Sequence, residues 1–104
     1  MQLLFDRRGN FIAYTDCDRL HSLAGANIGH FLGGEGVFID RSGRYLGEIV
    51  LGNRLLYRLR SPHRDVQFAV GGDYGNSGRF GNPGSAGTVG RVAGFKDVAP
   101  ESLE

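Results

Sequence analysis

A hairpin motif that recurs along the first 70 residues constrains this chain more than any other feature. Asp6-Arg7-Arg8-Gly9-Asn10 returns as Asp40-Arg41-Ser42-Gly43-Arg44, with Leu23-Ala24-Gly25-Ala26-Asn27 between them as a weaker copy. Each copy follows a short apolar run and precedes an aliphatic residue and then a small one: Ile12-Ala13, Ile28-Gly29 and Leu46-Gly47. A blurred fourth copy turns at Ser61-Pro62-His63-Arg64 and returns on Val66-Gln67-Phe68. In Asp-Arg-x-Gly the carboxylate can accept a hydrogen bond from the backbone two residues on, and the glycine supplies the positive φ of a tight turn. The repeat therefore speaks to architecture before chemistry.

Residues 3–70 predict eight short strands, at about 3–5, 11–15, 19–22, 28–32, 36–39, 45–50, 54–59 and 65–70. The runs are rich in Ile, Val, Leu, Phe and Tyr and are broken by Gly, Asn, Asp or Ser. No window carries a glycine-free helical stripe. A chain of hairpins with open edges aggregates, so such meanders close on themselves. The expected fold is all-β: four pseudo-repeated hairpins in a small closed barrel or rosette, followed by a glycine-rich irregular tail. The small column Ala13, Gly29, Gly47 has two readings, close packing of backbones near a common axis or β-bulges that add twist.

The tail announces itself at Gly72, from which glycine falls at every third position through Gly90. Period three matches neither a strand nor an α-helix; it is the period of polyproline II. A collagen triple helix would need far more proline than the single Pro83 in this stretch. A flexible tail, an extended segment lying glycine-face down on the barrel and an oligomer contact remain open. Tyr74, Phe80, Val89, Val92 and Phe95 are too apolar for a pure linker, so some of the tail is expected to dock. The organisation expected is a hairpin domain at 1–70 and a tail at 71–104, in which Leu103-Glu104 has the look of a tag scar.

At 104 residues and 40% apolar content the chain is one small globular domain. Nothing approaches the ~20 apolar residues of a membrane span, and the N-terminus has neither a basic start nor a long apolar run. The expected location is the cytoplasm. One cysteine excludes an internal disulfide framework and a cysteine-rich zinc site. A net charge of +1 excludes a global electrostatic pull toward nucleic acid or anionic membrane, while leaving room for local patches.

Leu4-Phe5-Asp6-Arg7-Arg8-Gly9-Asn10-Phe11-Ile12-Ala13-Tyr14, Phe31-Leu32-Gly33-Gly34-Glu35-Gly36-Val37-Phe38-Ile39-Asp40 and Gly43-Arg44-Tyr45-Leu46-Gly47 resemble the four-fold beta flower proteins. These are small bacterial proteins without an assigned function, so the resemblance implies a fold and no activity. The chain lacks the tryptophan those proteins often carry, and its tail is glycine-periodic where theirs tends to be proline-rich. A narrower resemblance links Phe38-Ile39-Asp40-Arg41-Ser42-Gly43-Arg44-Tyr45-Leu46-Gly47-Glu48-Ile49-Val50 to the opening hairpin of a PRC-barrel. That small barrel serves as a protein-binding module in a ribosome maturation factor and in photosynthetic reaction centres. Likeness of fold does not carry function with it.

Chemistry has few places to sit. Cys17, His21 and His30, with Asp16 and Asp18 beside them, are the only soft-ligand group, but no periodicity brings them together. No nucleophile signature surrounds Cys17. Glu48 lies in a strand among Leu46, Ile49 and Val50, as an exposed edge residue or a partly buried acid. Gly33-Gly34-Glu35-Gly36 opens no helix that would hold a phosphate. We therefore expect no catalytic residue, no metal and no cofactor. The basic stretch Arg54, Arg58, Arg60, His63 and Arg64 is the candidate polyanion-binding site, because an arginine row near Tyr and Phe suits phosphate contact and base stacking. The competing reading is a solvated strand face kept charged against edge pairing. The function expected is a non-enzymatic binding or assembly module with a protein partner or a second copy. The alternative is an RNA- or ribosome-associated PRC-barrel-like module binding through that arginine strand.

Overall fold

Asp6 and Asp40 close their turns with the same hydrogen bonds. The structure, a computed structural model, describes residues 1–69 and 83–104. In it Oδ1 of Asp6 accepts from the backbone N–H of Arg8 and Asn10 at 3.0 and 2.9 Å. Oδ1 of Asp40 accepts likewise from Ser42 and Arg44 at 2.9 and 3.0 Å. Gly9 and Gly43 both take φ +88° and donate back to the aspartate carbonyl. The middle turn follows the same plan one residue earlier than the sequence suggests. Ser22 stands in the aspartate's place, its Oγ accepting from Ala26 N–H, and Gly25 takes φ +91°.

These turns join hairpins β1 (Gln2–Phe5) to β2 (Phe11–Asp16), β3 (Arg19–His21) to β4 (Asn27–Leu32) and β5 (Val37–Asp40) to β6 (Tyr45–Val50). Each hairpin carries a bulge at one equivalent place. Pairing passes from Leu4↔Ala13 to Phe5↔Phe11, from Leu20↔Gly29 to His21↔Asn27, and from Phe38↔Gly47 to Ile39↔Tyr45. The residues left over are Ile12, Ile28 and Leu46, the repeat's aliphatic positions. Bulges bend a strand and raise its twist, which is what closing a small barrel requires. The two readings of the small column are thus joined: the small residue sits next to the bulge, and its two glycines also lie against backbone. A Cβ on Gly29 would overlap the carbonyl of Ile39, and one on Gly47 would lie 2.8 Å from the oxygen of Leu56.

A seventh strand, β7 (Arg54–Arg58), pairs antiparallel with β6 and closes the sheet against β1 through Phe5↔Arg54. In an up-and-down meander an odd-numbered strand runs the same way as the first, so this closure is parallel. Phe5 N–H donates to Asn53 O at 2.9 Å across the seam. Every strand of the closed sheet sends a side chain inward: Leu4, Ala13, Leu20, Ile28, Phe38, Leu46 and Leu55 fill the barrel with Val98 from the tail. The interior is a packed core rather than a ligand chamber.

The fourth hairpin does not form. Its turn begins like the others, with Ser61 Oγ accepting from His63 N–H at 3.1 Å and Arg64 N–H reaching Ser61 O at 3.3 Å. It fails at Arg64, which occupies the place of Gly9, Gly25 and Gly43 and does not adopt their positive φ. The predicted strand over 65–70 is accordingly corrected: its described residues make one isolated bridge, Arg44↔Gln67. The eighth strand comes instead from the tail. β8 (Phe95–Asp97) pairs with the second half of β7, and Val98 enters the core behind it. Leu103, in a 3-10 turn at Pro100–Leu103, packs on that core.

Gly84, Gly87 and Gly90 correct the reading of the triplets. Their φ values of +87°, +83° and +73° are left-handed, incompatible with polyproline II, and a Cβ on any of them would meet open space. These glycines do not lie face down; they let the chain turn while Ala86 and Val89 hydrogen-bond to the first hairpin. The triplets at 72, 75, 78 and 81 fall outside the described residues. No helix among the described residues is long and apolar enough to cross a membrane.

Candidate functional site

The predicted arginine row separates into two environments. Arg54, at the start of β7, is only 5% exposed and is held by backbone. Its guanidinium donates to the carbonyls of Asp6, Gly87 and Ala86 at 3.0, 2.6 and 2.9 Å, and its Nε to Asn53 Oδ1 at 3.0 Å. It therefore does not stand with the exposed cations of the predicted site. Arg58, Arg60 and Arg64 are exposed and His63 is half-buried.

Those four residues share a corner that the broken hairpin creates. β7 ends at Arg58, after which Leu59 N–H is taken by Gly94 O at 2.8 Å and Ser61 N–H by Arg58 O at 3.2 Å. Ser61 is buried as the pivot, and successive turns carry the chain to His63, whose ring lies 5.7 Å from that of Phe68. Phe68 N–H then donates to Gly43 O at 2.8 Å and Gln67 Nε2 to Ser42 O at 3.1 Å, pinning the corner to the β5–β6 turn. That fold-back brings in Arg44, which lines a shallow cleft of about 270 Å³ with Arg64, Asp65, Val66 and Gln67. Asp65 offsets some of the charge, its carboxylate lying 3.7 Å from Arg64 Nε. Two apolar side chains are exposed beside the cations, Leu59 at 50% and Val66 at 43%.

Beneath the corner, Tyr45 Oη accepts from Arg58 N–H at 3.1 Å and donates to Glu48 Oε2 at 3.2 Å. Burial, aided by the Glu48 charge, pushes the Tyr45 phenol up to about 12. Glu48 is thus a half-buried acceptor that fixes this tyrosine. Tyr57 packs on Tyr45 at 5.0 Å between ring centres, with Lys96 5.2 Å above it.

Cys17 and His30 share a cleft, but His21 does not line it. Cys17 is exposed on the tight β2–β3 turn, where it and Asp18 take φ +51° and +65°. His21 is buried, stacked on Tyr14 at 5.1 Å, with Nδ1 3.1 Å from Gly25 O. His30 lines a cleft of about 350 Å³ with Cys17, Asp18 and Arg19, and its imidazole is held below the ordinary value by burial and by Arg19 and Arg41. Among the described residues no three His, Cys, Asp or Glu side chains gather as a metal set.

Sequence reasoning missed Arg44 and the exposure of Leu59 and Val66. Period-two alternation along 54–59 puts Leu59 on the same face as core-facing Leu55, yet the strand ends at Arg58. Ser61-Pro62, which breaks the run, was the available signal. Compared with known protein families, curated proteins and solved structures, the chain matches none.

Proposed function

We propose that this chain is a binding module rather than a catalyst, and that it takes a protein partner at the corner formed by residues 58–68. The observation that carries the reading is the pairing of exposed Leu59 and Val66 with Arg58, Arg60 and Arg64 in one compactly turned segment. Apolar contacts framed by arginine are the composition of interaction hot spots, with the charged rim steering an acidic partner. A filled barrel interior leaves the surface as the place to bind. The three exposed arginines also favour a second reading, RNA held through its phosphates, which the same corner would serve.

A photo-crosslinking residue at Leu59, with the still more exposed Leu51 at the other end of β7 as control, tests both. An adduct from position 59 alone, suppressed by Arg58→Glu with Arg60→Glu, is the expected result. Its mass separates a second copy from another protein. A nuclease-sensitive adduct that fades between roughly 50 and 200 mM salt identifies RNA instead. Equal adducts from both positions, or none from either, remove the corner as the site.

A further inference from the structure

Among the described residues, Arg54 is a buried cation without a countercharge. None of the ion pairs there involves it, and its four acceptors are three carbonyls and an amide oxygen. Buried guanidinium groups ordinarily meet a carboxylate or phosphate. Two of the acceptors, Ala86 O and Gly87 O, are consecutive carbonyls, one on each terminal nitrogen. They give each terminal nitrogen one neutral oxygen, where a bidentate carboxylate would bring two oxygens on one carbon and the missing charge.

The surrounding groups say what else the ligand must offer. Gly9 O accepts from Ala86 N–H at 2.9 Å, Arg7 O from Val89 N–H at 2.9 Å, and Arg8 O lies 3.4 Å from Thr88 Oγ1. Three outward carbonyls would repel a bare anion, so a free phosphate fits poorly. A chain that presents N–H donors to the turn and two oxygens to Arg54 fits well. Nearby acids are already engaged: Asp6 by Arg8 and Asn10, and Asp97 by Arg7 N–H at 3.0 Å. The covering residues 85–89 carry no charge and bury no side chain fully.

We propose that Arg54 and the β1–β2 turn form a receptor for the C-terminal carboxylate of an extended peptide with a small last residue, and that residues 85–89 occupy it as an internal stand-in. A peptide ending at the position of Ala86 gives its last N–H to Gly9 O and one carboxylate oxygen, in the place of Ala86 O, to the guanidinium. Its second oxygen takes the place of the Gly87 nitrogen and leaves the guanidinium nitrogen now bonded to Gly87 O open to it. The last residue is small because Ala86 lies partly buried against the turn. This site is at the opposite end of β7 from the 58–68 corner and stands or falls without it.

The test uses the hexapeptide Gly-Asn-Pro-Gly-Ser-Ala, labelled at its N-terminus, as the free acid and as the C-terminal amide. The receiving chain is full-length, with the internal segment loosened by Gly87→Val, which strains a φ of +83°, or by Ala86→Pro, which deletes the N–H to Gly9. Fluorescence anisotropy should show the acid binding about tenfold or more tighter than the amide, a preference lost on adding Arg54→Gln. The wild-type chain gives an independent arm. Millimolar free acid should shift the backbone amide resonances of Ala86 and Gly87, and the amide peptide should not. Equal responses to acid and amide in the wild type, or an acid preference that survives Arg54→Gln, overturn the proposal.

Discussion

Replacing Gly29 by alanine tests the close approach that the small column provides. The new methyl would overlap the carbonyl oxygen and carbon of Ile39 in β5, where no side chain can swing aside. At Gly47 the same change meets the backbone oxygen of Leu56 at 2.8 Å and the core methyl of Val98 at 3.1 Å, a shallower overlap than at Gly29 but one that strand β7 must still yield to. Neither glycine has a positive φ, so alanine also restricts the unfolded chain and returns about 0.4–1 kcal/mol of stability. Overpacking costs about 1–3 kcal/mol, and Gly29→Ala, which must push apart a pair of hydrogen-bonded strands, belongs at the upper end. The expected net loss is about 2 kcal/mol for Gly29→Ala and about 1 kcal/mol for Gly47→Ala. In a domain of this size that is a fall in Tm of roughly 8–16 °C against a few degrees, read by circular dichroism melts. Gly36→Ala serves as the contrast, since its φ of +71° is strained while its surroundings are open. A Gly29→Ala chain as stable as the parent would refute the close-packing account.

Asp40→Ala removes three hydrogen bonds at one carboxylate oxygen and should cost about 1 kcal/mol in urea unfolding, whereas Ser22→Ala, losing one long bond, should cost less. Tyr45→Phe leaves Arg58 N–H without its acceptor and should lower stability by about 1–2 kcal/mol. The Tyr45 phenol binds its proton more tightly folded than unfolded, so stability falls as pH rises from about 10 to about 12, and Tyr45→Phe should flatten that stretch of the profile. For His30 the sign is opposite: its folded-state value is depressed, so its contribution is present above the ordinary 6.5 and lost as pH falls. An NMR titration of the His30 ring should find it below 6.5 and find Arg41→Gln moving it back up; an unmoved midpoint removes Arg41 as a cause.

The barrel was legible in the sequence because its determinants are local. A carboxylate that caps its own turn and a glycine three residues on are fixed by short-range geometry, and period-two alternation does the rest. The bulges were half legible: the aliphatic-small pair marked where they fall, but only pairing shows which residue is skipped. The fourth strand misled because Val66-Gln67-Phe68 has strand composition while the decision rests with one residue. Arg64 forfeits the left-handed turn that would have aimed those residues back along β7. The tail then supplies at Phe95–Asp97 the pairing that 65–70 was expected to give. That replacement has a sequence separation of about forty residues, and no local pattern encodes it.

Arg54 shows the same limit in its charge. Spaced two apart from Leu56 and four from Arg58, it reads as one member of an exposed row, and on an isolated hairpin it would be one. It is buried because a segment more than thirty residues away lies over it and supplies two carbonyls. Arg58 stays exposed because the strand ends there and its side chain is left uncovered. Two arginines four residues apart on one strand thus acquire different chemistry from what the tail covers. The cation under the tail is the one held by neutral oxygens, and the cations beyond it are the ones flanked by exposed leucine and valine. If the chain binds two ligands, they should differ accordingly: a peptide terminus at the covered end of β7 and a broad acidic surface at the open end. Mutations at the two ends should then be additive, because the ends share no partner residue. Coupling between Arg54→Gln and Arg58→Glu in stability or in either binding assay would mean that β7 transmits strain between them.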